Sequence, residues 1–141
     1  MHIPPFSIFS AVSELFVTAG VFYVVRRNWL RQPFPFALFL VVSLFEALVN
    51  VMYMANRASA AAAPHAAELL SVGMKIAFAM HGLLSLAAYL VFVVLGTIAY
   101  QEQKTGRWFF REHAALTWTF LVVWTISIGS GETLFALRYL V

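Results

Sequence analysis

The chain has 141 residues, of which 62% are hydrophobic and only 11% charged, and its mean hydropathy is +0.85. A soluble domain of this size carries about 25% charged residues and cannot enclose so much apolar surface in one core, so most side chains must be solvated by lipid. The formal charge of +3 comes from loop arginines and lysine and argues for no nucleic-acid partner, and a chain without cysteine excludes disulfides, Cys-ligated zinc and iron–sulfur clusters.

Apolar runs of about 20 residues suffice to cross a bilayer, and four of them use most of the chain. The expected fold is therefore all-α and integral to the membrane. It is a single domain over residues 1–141, an antiparallel up-down-up-down bundle of four transmembrane helices. The start, Met-His-Ile-Pro-Pro, lacks the basic residues of a cleavable signal, so the first helix is expected to stay as an anchor.

Helix one is predicted from Phe6 to Val25, entered through Pro4 and Pro5, because proline is tolerated in a first turn. Arg26, Arg27, Trp29 and Arg31 then read as a short basic loop with an interfacial aromatic. Helix two is predicted from Pro33–Pro35 to Ala55, and Asn56 to Ala63 as the one longer loop. Pro64 is placed to open helix three, whose membrane part is Ala77–Tyr100 and whose end is near Gln101. A second basic loop, Glu102 to His113, carries Lys104, Arg107, Trp108 and Arg111, and helix four follows from Ala114 to Leu137. Six basic residues thus fall in two loops on one side, and the positive-inside rule puts both termini outside the cytoplasm.

Each apolar run carries a residue that is costly to place there: Glu14, Glu46, His81 and Glu132. An ionisable group at bilayer depth costs about 2.5 to 3.5 kcal/mol, so such groups usually face the bundle interior and find partners. In this topology all four lie between mid-membrane and the outer face, with Asn50 one turn from Glu46 and Ser127, Ser130 and Gly131 beside Glu132. The opposite halves of the helices read as almost purely apolar.

Three roles suit these four residues. One is structural, with Glu–Lys and Glu–His pairs (Lys75 among them) holding helices together. The second is a proton or quinol site. The third is a metal or haem site built from inward carboxylates and imidazole, although the two Glu-x-x-His pairs of a di-iron bundle and a second deep histidine are both missing. His2 and His65 lie near the mouth of the cluster, whereas His113 lies at the far end of helix four, out of reach of His81. Ser127 and Gly131 form a small-xxx-small pair suited to close helix approach. Phe34, Phe36 and Phe39 are expected to face lipid, and Trp118 and Trp124 to face lipid or core. There is no phosphate-cradling loop and no nucleophile triad, so no catalytic residue is assigned.

The run His81-Gly82-Leu83-Leu84, the basic loop, His113, and Trp118, Trp124, Ser127 and Gly129 resemble a family of small four-helix bacterial membrane proteins of unknown function. That family is linked to maturation of haem–copper (cytochrome aa3-type) oxidases. Gly20, Arg26 and Arg27 extend the resemblance into the first half. It implies an accessory membrane protein of a respiratory oxidase, an assembly factor or small integral subunit, in the bacterial inner membrane beside other integral membrane proteins. Haem or copper would be the cofactor in question. The family's histidines in the first basic loop and at the end of helix two have no counterpart here, and Glu46 and Glu132 are additions to its pattern.

Overall fold

The computed structural model describes residues 5–61, with side chains through residue 55, and residues 71–139. The elements in order are α1 (Pro5–Trp29), α2 (Phe36–Ala61), α3 (Val72–Gln103), α4 (Phe109–Glu112) and α5 (Ala114–Tyr139), with no strand among the described residues. α1, α2 as far as Ala55, α3 and α5 are long and apolar enough to cross a membrane, and the chain is a multi-pass membrane protein. Their large apolar side chains face outward in quantity, among them Phe16, Val51, Leu83 and Trp118. Lipid, which is as apolar as these side chains, covers such faces without cost.

Several expected boundaries move. α1 continues four residues beyond Val25, so Arg26 and Arg27 lie in its last turn, where cations complement the negative end of the helix dipole. The turn then closes by Gln32 N–H on the Arg27 carbonyl (2.9 Å) and Arg31 N–H on the Asn28 carbonyl (3.0 Å). This is a Schellman cap with Arg31 at φ 57° in the position that glycine normally takes. α3 ends in the same motif, through Arg107 N–H to Glu102 and Gly106 N–H to Gln103, but there Gly106 takes the left-handed position at φ 80°.

α2 runs on to Ala61, so Asn56–Ala61 is helix rather than loop; alanine is the strongest helix former, and the absence of apolar side chains does not end a helix. α3 begins at Val72, where the Ser71 hydroxyl accepts the Met74 N–H (3.3 Å) as an N-cap. The expected opening at Pro64 lies outside the described residues.

The core follows from helical spacing. Val17, Val21 and Val24 make one face of α1, and Ala88, Phe92, Leu95 and Ala99 make one face of α3. Phe120, Trp124 and Ser127 do the same on α5. α3 and α5 make the most extensive pairing and run in opposite directions: His81 meets Ser130, Ser85 meets Ser127, and Phe92 meets Phe120.

Two glycines set how closely helices approach. A Cβ on Gly20 would come within 2.7 Å of Val42, and one on Gly96 would fall under 3.0 Å from three atoms of the Phe39 ring. Phe39 therefore sits in the core, not in lipid. Phe34 joins it, packed edge-on at 5.6 Å between centroids, and only Phe36 keeps the exposure expected of all three. Of the two tryptophans, Trp118 is exposed and Trp124 is buried.

The end that carries the basic loops is also held by buried polar groups. Asn28 is fully buried and its Oδ1 accepts the Phe110 N–H at 3.0 Å. The Thr117 hydroxyl faces the Phe110 carbonyl (2.7 Å) and the His113 carbonyl (3.1 Å). Gln103 Oε1 accepts the Phe34 N–H at 2.8 Å, tying the entry of α2 to the end of α3. The expectation that this half is almost purely apolar is corrected here. Phe109 and Phe110 of the short α4 fold inward, and their buried backbone polar groups need partners.

Candidate functional site

His81 occupies the third turn of α3, on the side facing α5. Its Nδ1 lies 2.9 Å from Ser130 Oγ, and that hydroxyl donates to the Ser127 carbonyl at 2.7 Å. A hydroxyl has one hydrogen, so Ser130 must accept from His81. Neutral His81 therefore carries its proton on Nδ1, and Nε2 is left as a lone-pair acceptor.

Nε2 points toward Gly131 of α5. A Cβ at that position would stand 2.7 Å from His81 Cε1, 3.0 Å from Nε2 and 3.4 Å from Glu14 Oε2. The missing side chain is thus what admits the imidazole, and it brings helices α1, α3 and α5 to one point. The Ser127/Gly131 pair serves as expected: Ser127 is buried against Ser85, with 2.8 Å between hydroxyl oxygens.

Glu14 is the carboxylate that borders the His81 ring at Gly131. Glu46 is buried and accepts from Asn50 Nδ2 at 2.9 Å, one turn along α2, as the fourfold spacing implies. Glu132 is half-buried, and its Oε1 is enclosed without a hydrogen-bond partner among the described residues. Ser43, three residues before Glu46, is likewise buried with an unpartnered hydroxyl.

The four predicted residues therefore gather unequally. Glu14 and His81 border the same point over Gly131, while Glu46 is held by Asn50 on α2 and Glu132 follows Gly131 on α5. The expected Glu–Lys and Glu–His pairs do not form among the described residues, where the ion pairs are Arg107 with Glu102 and with Glu112. Lys75 is exposed at the start of α3, and Arg138 lies over the Phe78 ring at 5.6 Å. No group of three or more His, Asp or Glu side chains converges closely enough to hold a metal ion among the described residues. His2 and His65 lie outside those residues, and His113 packs on Phe109 at the far end, as expected.

What the sequence could not show was Ser130 as the partner that sets the tautomer of His81. Its only signal was a hydroxyl two residues from the Glu132 position. Comparison with family models, with curated proteins and with solved structures finds no match to this chain.

Proposed function

We propose that this membrane protein exchanges protons through a carboxylate–imidazole cluster, with Glu14 and His81 as the exchanging pair and Glu46 and Glu132 tuning Glu14. The observation that carries this reading is the space over Gly131. An imidazole lone pair and a carboxyl oxygen both border it, and neither has a cation beside it among the described residues. Unpaired ionisable groups inside a bundle are kept for function more often than for stability.

In the reconstituted protein, a carboxyl infrared band should follow the bulk pH and disappear in Glu14→Gln. The same band should shift in His81→Ala. A Glu14 band that ignores pH would sink the proposal.

The orientation and setting we propose follow from other features. Arg26, Arg27, Arg31, Lys104, Arg107 and Arg111 flank the same end of the bundle, which supports an up-down-up-down topology with that end in the cytoplasm and both termini outside. A chain without native cysteine makes the test direct. Thr105→Cys should react with an impermeant thiol reagent only after the membrane is opened, and labelling of intact cells would reverse the orientation.

The setting is that of an accessory protein of a respiratory oxidase in a bacterial inner membrane. It is supported by the residues of the resemblance alone, and His81, first of them, is the residue at the centre of the cluster. Haem, copper or oxidase subunits should co-isolate with the native protein, and a preparation free of all three removes this setting while leaving the proton site to its own test.

A further inference from the structure

The polar groups around His81 lead inward from the carboxylates and then stop. Ser130 gives its proton to the Ser127 carbonyl, an oxygen that accepts a hydrogen bond but has no proton to pass on. Ser85 and Ser127 pair their hydroxyls, and the deepest polar contact beyond them is Trp124 Nε1–H on Thr18 Oγ1 at 3.2 Å. An indole is a donor only, so no acceptor carries the chain further.

Beyond this level stand three buried rings. Phe92 stacks on Phe120 at 6.2 Å and an interplanar angle of 11°, and packs on Trp124 at 5.7 Å. Val21, Val24 and Ala99 fill the layer below with no exposure to solvent. The next buried polar groups are Asn28 and Thr117, each ten residues along its helix from Thr18 and Ser127, or about 15 Å. Thr97, Thr119 and Thr125 are exposed, and each gives its hydroxyl to the carbonyl four residues back on its own helix. On α2, Ser43 reaches no further than one turn from Glu46.

We propose that the cluster is a one-sided proton site: Glu14 and His81 exchange protons with the Lys75–Arg138 end of the bundle, and Phe92, Phe120 and Trp124 seal it from the basic-loop end. This rests on the proton-exchange reading of the same residues. The two groups stand too far apart for a direct hydrogen bond, so the exchange runs through one water. The Glu14 O–H bond breaks as the water takes that proton, and the water gives another proton to His81 Nε2. The carboxylate and imidazolium so formed return to the starting state by the reverse steps. Half-buried Glu132, next to Gly131, gives the pair its route to the surface. A site of this kind takes up and returns protons for a partner or reaction on its own side of the membrane, and it does not conduct them across.

The test is proton flux into vesicles of the reconstituted protein, with an entrapped pH dye and an imposed potential. The wild-type protein should give no flux above empty vesicles. Phe92→Ser should raise flux severalfold, and Phe92→Ser combined with Glu14→Gln should return it to the baseline. If Phe92→Ser does not insert, Phe120→Ser replaces it. Wild-type conduction, a folded seal variant that stays at baseline, or a leak indifferent to Glu14→Gln would each overturn the proposal. A Glu14 band that follows pH alongside wild-type conduction would break the seal alone; a band that ignores pH breaks the underlying reading.

Discussion

The two ends of this bundle solve the problem of buried polar groups in opposite ways. At the basic-loop end, Asn28, Thr117 and Gln103 each satisfy a named backbone group of another segment, and rings and valines close around them. At the other end the polar groups are carboxylates and an imidazole. Unpartnered buried atoms occur at both ends among the described residues, Arg27 Nε, Asn28 Nδ2 and Glu102 Oε2 at the first and Ser43 Oγ and Glu132 Oε1 toward the second, so the ends differ in the kind of group they bury. The first arrangement stabilises one geometry. The second gathers titratable groups, and on that difference in kind the proposed proton exchange rests.

The comparison can be broken most severely at the basic-loop end. Phe110→Ala removes a fully buried ring and should cost about 3–5 kcal/mol in unfolding, with Asn28→Ala costing about 1–3 kcal/mol through the orphaned Phe110 N–H. Thermal or denaturant unfolding in detergent measures both, and changes under a few tenths would show that α4 is not an anchor.

A glycine at each end gives a matched pair of the next size. Gly96→Ala drives a methyl into the Phe39 ring and should destabilise by about 1–3 kcal/mol, an effect relieved by trimming Phe39 to leucine. Gly131→Ala should instead displace His81. Its signature is a change in the imidazole nitrogen resonances, because the Ser130 bond that sets the tautomer is disturbed. Unchanged resonances would separate His81 from Gly131.

Arg31→Gly should stabilise the protein by about 0.5–1 kcal/mol, since a left-handed cap is free of side-chain strain only for glycine. The smallest effect is at exposed Glu112. The Trp108 N–H it accepts, and then Arg107 and His113, hold its carboxyl below the usual carboxylate range. A depressed carboxyl contributes stability above its unfolded-state range and loses it as the pH falls through the folded one. The protection of the Trp108 amide against exchange, measured relative to its intrinsic rate at each pH, should therefore fall in acid in the wild-type protein and show no such fall in Glu112→Gln.

Much of this site was legible in one dimension. One costly residue per apolar run marked Glu14, Glu46, His81 and Glu132, and fourfold spacing joined Glu46 to Asn50. The paired basic loops and the small-residue face of Ser127 and Gly131 were equally plain. Asn28 was not, because it follows two arginines at a helix end, where an asparagine ordinarily meets water. α4 was hidden in a loop of mixed charge whose two phenylalanines have no helical period to announce them.

Hydropathy and length alone determined that the chain lives in a membrane as four helices, since lipid leaves a backbone of this composition few other ways to satisfy its hydrogen bonds. Only the tertiary structure decided which polar groups meet. Whether Glu14 faces His81 or Lys75, and whether Phe39 faces lipid or Gly96, depends on helix rotation and register. In a sequence apolar on nearly every face, no stripe encodes that rotation. It is set by where glycines let two helices touch and where a hydroxyl finds its one partner.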